Sequence, residues 1–258
     1  MLNKNNFLIE MNLLLKKLKI KKDDNLLLHS NSAGINQIQK FKKNKNQLYN
    51  LFINTLLKKI GRKGTLVMPT YNYDFTKGKA FNYKKTLGQV GELNNFFLKK
   101  KGVKRSFEPI FSHAIKGPLL NNLLNSDIKS CFSKGSIFEK FKIYNFKIFG
   151  FSCLLNSMTF LHYIEEQSKV KYRFYKNFSG KYEINEGVKK IMLNYFVGKK
   201  KVDYTVKYKN VEKALQNTKS FNKANFGYFT CWTINALPCY KIINKKIKNN
   251  NNYLIQKN

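Results

Sequence analysis

Apolar residues recur at helical spacing from the start of the chain, where Phe7, Ile9, Met11, Leu14, Leu15 and Leu18 predict an amphipathic helix that ends in a basic cluster and Asp23-Asp24. The pattern then shortens. Asn25 to Ser30 is an apolar run of strand length, followed by a small polar turn, Ser30 to Gly34. A second helix is predicted over Gln47 to Ile60, with Leu48, Leu51, Phe52, Thr55 and Leu56 on one side and Gly61 as its stop. Gly64 to Thr70 reads as the next strand. Gly88 to Leu93 begins another helix, which runs to the Lys99–Gly102 stop, residues 118 to 126 look helical, and Ser133 to Ser136 is a turn that opens a short helix. Phe146 to Ser152 is a strand, and Asn156 to Gln167 a polar turn leading into a helix, with Asn156 or Ser157 as its cap. Further on, Lys181 to Ile184, Ile191 to Val197 and Val202 to Tyr208 read as antiparallel strands, Val211 to Gln216 as a helical turn, and Phe226 to Thr233 as a packing segment.

Strand, helix and strand at this spacing indicate βαβ units, hence an α/β fold with a mainly parallel sheet covered by helices and a small antiparallel addition in the C-terminal third. One domain is expected over residues 1–240. The Lys/Ile/Asn segment 241–258 is expected to fray. Ligands of such sheets gather at the carboxyl ends of the strands. Here three of those ends converge, at His29-Ser30, Thr70 and Ser152.

The formal net charge of +35 over 258 residues changes this picture less than its size suggests. Lys far outnumbers Arg and is dispersed among Asn, Ile, Phe and Tyr, as coding drift produces. No Arg-rich stripe or nucleic-acid motif accompanies it, so no nucleic-acid partner is expected. Cys131, Cys153, Cys231 and Cys239 form no CxxC pair and have no zinc spacing; free thiols and no metal are expected. There is no long apolar h-region at the N-terminus and no membrane-span-length run, which points to a cytoplasmic protein.

The chemistry concentrates in a few places. On the helix after the third strand, His162 shares a face with Glu165 at i+3 and Glu166 at i+4. A carboxylate that accepts one ring N–H fixes the tautomer and leaves the other nitrogen basic, while the same pair also serves as a plain helical ion pair. Asn31 and Ser32, in the first turn, offer backbone N–H groups for a phosphate or amide. Tyr71, Asn72 and Asp74 form an aromatic and polar run suited to holding a sugar. Arg105 to Ala114 is a loop dense in distinct chemistry, including Glu108 and Ser112, and Ser136 opens a helix that can receive an anion.

Leu28-His29-Ser30, Gly64 to Thr70, Val90 to Leu93, Arg105-Ser106, Pro109, Ser112 to Gly117, Gly135-Ser136 and Thr159 to Glu165 together resemble the aminoglycoside 3-N-acetyltransferase family, in family order over about residues 25 to 170. The resemblance implies a three-layer α/β/α fold and acetyl-CoA as co-substrate, with an amino-sugar small molecule as acceptor. It implies His162 as general base with Glu165 as its partner. It also implies that His29, Ser30, Asn31, Ser32, Thr70, Arg105, Ser112 and Ser136 lie along coenzyme A. Tyr71, Asn72, Asp74, Glu108 and Glu166 are then candidates for acceptor binding. Backbone N–H groups after His29 or near Thr70 and Ser112 are candidate oxyanion donors.

Departures from the family pattern bear on the acceptor. Glu108 and Phe111 stand where many relatives carry histidines, and Asn156 where some carry an Asp ahead of the base. Asn156 can orient an imidazole but does not stabilise an imidazolium as Asp does. A +35 protein also repels a polycationic aminoglycoside at long range. The charge better suits anionic partners such as acetyl-CoA or a nucleotide-linked amino sugar. The Tyr71 to Lys79 and Val170 to Tyr175 runs resemble family members associated with surface-polysaccharide synthesis, so an amino sugar is the expected acceptor, with aminoglycosides as the other candidates. The rival reading is a non-catalytic scaffold whose Lys171 to Phe178 stretch binds nucleic acid or an anionic surface.

Overall fold

A computed structural model of the chain describes residues 4–36, 44–184, 187–199 and 204–257. In chain order the elements are α1 (Lys4–Lys17), β1 (Leu26–Ser30), α2 (Lys45–Ile60), β2 (Leu66–Pro69), β3 (Phe81–Asn82), α3 (Glu92–Leu98), β4 (Lys104–Arg105), β5 (His113–Lys116) and α4 (Leu120–Leu124). There follow α5 (Ile137–Ile143), β6 (Lys147–Phe151), α6 (Phe160–Gln167), β7 (Arg173–Ile184), β8 (Gly187–Gly198), β9 (Tyr204–Val206), α7 (Tyr208–Leu215), β10 (Asn222–Phe226), β11 (Phe229–Asn235), α8 (Ala236–Asn249) and β12 (Ile255–Lys257).

A seven-stranded sheet, in the order β10-β11-β6-β1-β2-β5-β4, forms the middle layer. Its centre is parallel: β1 pairs with β6 from Leu26↔Lys147 to Ser30↔Phe151 and with β2 from Leu26↔Leu66. β5 and β11 pair antiparallel to β2 and β6 and reverse direction; β4 and β10 pair antiparallel to them in turn and run with the centre. The side-chain alternation of a strand divides the core in two. Leu26 and Leu28 of β1 pack with α1, α2 and α3 on one face, while Leu27 joins the residues of α5, α6, α7 and α8 on the other. That division is the three-layer α/β/α arrangement.

The antiparallel addition is a long hairpin, with β7 and β8 paired from Arg173↔Gly198 to Ile184↔Gly187 and β3 alongside β7. It is one continuous pair of strands where the sequence suggests shorter pieces, and it absorbs the aromatic-basic stretch read as a binding surface. Of the strand expected over Val202 to Tyr208, the first two residues lie outside the described ones, and β9 occupies Tyr204–Val206.

The expected fraying from Lys241 does not occur. Helix α8 crosses that point, because Cys239, Ile243 and Ile247 form a buried i, i+4 stripe hidden in the Lys/Asn composition. Beyond it Leu254 and Ile255 are buried and β12 pairs with β9. The cap of α6 also differs from expectation. Leu155 to Ser157 forms its own short 3-10 turn, and α6 begins after Thr159.

Candidate functional site

The carboxyl ends of β1, β2 and β6 surround a cavity of about 400 Å³. His29 and Ser30 come from β1, and Pro69, Tyr71 and Tyr73 from the end of β2 and its loop; Val90 and Asn94 stand at the start of α3. Phe111 closes one side, and Asn156, Ser157, Thr159 and His162 the wall beyond β6. Two close packings shape that wall. A Cβ on Gly150 would fall inside the Trp232 ring, so only Gly lets the indole lie across β6. From there Trp232 Nε1 donates to the Cys153 carbonyl at 2.8 Å. This anchors a sharp turn in which Ser152 takes a left-handed φ of 55°.

His162 sits one turn into α6. Its Nδ1 lies 2.7 Å from Glu165 Oε2 and 2.8 Å from Arg173 Nη2, and Phe132 packs edge-on against the ring. Glu165 is 3% exposed. Its Oε1 accepts from Tyr172 at 2.9 Å, and its Oε2 forms an ion pair with Arg173 Nε at 2.8 Å. Burial pushes this carboxyl up, but the His162 hydrogen bond and the charges of His162 and Arg173, with the Tyr172 hydroxyl, together outweigh it and hold it below the usual carboxylate range. Glu165 is therefore an ionised, buried acceptor behind the imidazole. Arg173 is in turn tied to β8 by donation to the Phe196 carbonyl at 3.1 Å.

Opposite, His29 is 5% exposed, and burial lowers it to about 4, so its ring is neutral; its Nε2 has no protein partner. Asn94 is similar. It donates to the Val90 carbonyl at 3.0 Å while its buried Oδ1 has no protein partner. Two residues of the lining thus each keep a buried polar atom without a protein partner, the kind of group that a buried ligand amide satisfies. Tyr71, raised well above its ordinary range by burial, is neutral and hydrogen bonded to His113 Nε2 at 3.2 Å. Cys153 is held in its thiol form. Burial raises its thiol to about 11, and it is hydrogen bonded to the His29 carbonyl and Ser157.

Of the residues singled out from sequence, His29, Ser30, Tyr71 and His162 line the cavity and Glu165 stands directly behind it. Others serve the frame. Arg105 is 2% exposed and presents no fork to a phosphate: it donates to Ser112 Oγ and to the carbonyls of Thr70 and Thr86, over the Phe81 ring. Thr70 and Ser112 are buried and bonded to each other at 3.0 Å, and the Thr70 amide, a candidate oxyanion donor, is taken by the Ser112 carbonyl. The Asn31 amide bonds the Phe151 carbonyl, and the Asn31 side chain caps the turn that contains Ser32. Ser136 caps α5 from within, accepting from Glu139, whose own carboxylate takes the Gly135 N–H; the anion position is filled by the chain itself.

The carboxylates expected around an acceptor are also engaged elsewhere. Asp74 pairs with Lys77 and Lys79, and Asn72 stitches its own loop through the Leu87 carbonyl and the Asp74 amide. Glu108 is buried and accepts from the Ile110 and Phe111 amides and from Tyr195. Glu166 is held by Tyr175 at 3.4 Å and does not line the cavity. Arg173, Tyr172 and Asn94 belong to the site but are not singled out as site residues in the sequence, where Tyr73 appears only as part of the aromatic run after Thr70. The signal for the first two was their place in the aromatic-basic stretch, whose role only the pairing of β7 beside α6 discloses.

With this geometry in place, comparison with known proteins is informative. The family model described as aminoglycoside 3-N-acetyltransferase matches residues 27–248. No curated protein sequence matches significantly. Among solved structures the fold is similar to one described as AAC-IIIb binary with CoASH (TM-score 0.80, 12% identity, covering 96% of this chain and 97% of that one). It is also similar to the YokD protein from Bacillus subtilis (0.78, 17%, 96% and 93%) and to AAC-VIa bound to sisomicin (0.75, 15%, 96% and 98%).

Proposed function

Because the chain belongs to the aminoglycoside 3-N-acetyltransferase family and is thereby an acyltransferase, we propose that this cavity moves an acetyl group from acetyl-CoA directly to the amine of an amino sugar, with His162 as general base. The carrying observation is His162 in the cavity wall with Nδ1 2.7 Å from the ionised Glu165, which leaves Nε2 for the acceptor. An ammonium has no lone pair. The acceptor nitrogen attacks the thioester carbonyl as its proton passes to Nε2, the C–S bond breaks, and the thiolate of coenzyme A takes the proton back. His29 Nε2 and Asn94 Oδ1 are unpaired partners for the amides of the pantetheine arm. That one solved relative is described with CoASH supports this assignment of the donor.

The acceptor is argued from the lining. None of the twelve side chains around the cavity is a carboxylate, and Asp74 and Glu108 are engaged by lysines and by Tyr195. A polycation finds little to hold it here, whereas a sugar with one amine and an uncharged or anionic remainder stacks on Tyr71, Tyr73 and Phe111. Sisomicin, bound by one relative, is then a poorer acceptor for this chain than a nucleotide-linked amino sugar. Thiol release from acetyl-CoA, measured against both acceptor types, tests this. His162→Ala should lower turnover by at least about 100-fold with the fold intact; undiminished turnover overturns the base assignment.

A further inference from the structure

We propose that Arg173 is a positioning residue of the base: its guanidinium competes with Glu165 for Nδ1 of His162 and so sets which ring nitrogen carries the proton. This rests on His162 being the base. The two contacts, 2.7 Å to Glu165 Oε2 and 2.8 Å to Arg173 Nη2, converge on one nitrogen. An ionised carboxylate only accepts and a guanidinium only donates, so a neutral imidazole cannot satisfy both. Donation from Nδ1 to Glu165 leaves a lone pair on Nε2, the form that accepts the amine proton. Acceptance from Arg173 places the hydrogen on Nε2, the form that offers a hydrogen bond there but has no lone pair for the amine proton.

The balance between the two is local. Among the described residues, the other titratable groups near the pair are Tyr172, just before β7, Tyr208 at the start of α7, and His29, Tyr71 and Tyr73 in the cavity lining. Burial keeps each of these uncharged near pH 7. Glu166, the neighbour on α6, is turned to Tyr175. Among these groups Arg173 and Glu165 alone place fixed charges beside the ring. After proton uptake the imidazolium donates to Glu165 and faces a like charge at Arg173, which favours release of the Nε2 proton to the thiolate. Nothing is gained or lost overall: one proton leaves the amine and one arrives on coenzyme A.

Arg173 is held for this role from the opposite side, by the Phe196 carbonyl on β8, at the first residue of β7. The hairpin thereby reaches the base through one side chain.

The test combines a spectrum with kinetics. The chain has three histidines, so the ring-nitrogen signals of His162 are assigned by their absence from the His162→Gln spectrum. At alkaline pH the native protein should show both tautomers, Nδ1–H and Nε2–H, and Arg173→Met should move the ring toward Nδ1–H alone. The acid limb of its kcat/KM profile should move up, since Arg173→Met removes a like charge beside the imidazolium. Arg173→Lys, which keeps a cationic donor and is the safer fold, should hold both near native values, with KM for acetyl-CoA little changed in either variant. Ring-nitrogen shifts unchanged in Arg173→Met, or an acid limb still at its native position, overturn the proposal. Loss of the base reading shows separately, as retained turnover in His162→Ala.

Discussion

Glu108 and Glu165 show what burial does to two carboxyl groups in one molecule. Glu165 has the Arg173 guanidinium and the His162 imidazole against one oxygen and stays ionised, whereas Glu108 receives only neutral donors, and burial raises it to about 8. An unfolded glutamate titrates near pH 4. Between about pH 4 and 8 the folded protein therefore binds the Glu108 proton more tightly than the unfolded chain does, so this contribution to stability is full below pH 4 and is lost as pH rises through 8. Glu108→Gln should flatten the fall of Tm between pH 5 and 8, measured by thermal unfolding, whatever constant offset follows from a weaker acceptor for the Phe111 amide. A slope equal to the native one sinks the assignment. The sequence shows the presence of Glu108 in a dense loop but not its role, because Tyr195 reaches it from 87 positions further along the chain. His162 and Glu165 were legible because their contact is local, at i+3. Arg173 was not, since its value depends on β7 entering beside α6.

At the scale of elements, the legible parts are those with strong periodicity or short range. The β1-α2-β2 unit, the helix starting after Gly91 and the strand ending near Ser152 fall where apolar runs and glycine stops place them. The C-terminal segment was misjudged from composition, since Lys and Asn around Ile243, Ile247, Leu254 and Ile255 hide four buried side chains. Removing residues 250–258 therefore deletes a working edge. It exposes the core below Leu254 and Ile255 and leaves β9 unpaired. Two buried aliphatic side chains are together worth about 4 kcal/mol, and the truncated protein should lose stability of that order in urea unfolding. A truncation with native stability would return the tail to the status of a frayed end.

On the whole molecule, the +35 charge meets a site without carboxylates in its lining, and the two facts lead to the same experiment. The described acidic groups are largely matched at short range: Asp24, Asp74, Glu92, Glu139 and Glu212 each pair with a lysine, so what remains at distance is a positive field. No helix among the described residues is long and apolar enough to cross a membrane. Salt tunes this field, with a screening length of about 30 Å at 0.01 M falling to about 10 Å at 0.1 M. Acetyl-CoA is a polyanion. Its KM should rise several-fold across that range as steering is screened. The acceptor responds according to its own charge: KM for a nucleotide-linked amino sugar rises with salt, while KM for an aminoglycoside falls as repulsion is screened. Parallel increases for donor and acceptor identify an anionic acceptor as the one this surface favours. An aminoglycoside turned over efficiently at low salt, with KM insensitive to ionic strength, would mean that the lysines have no part in selecting the substrate.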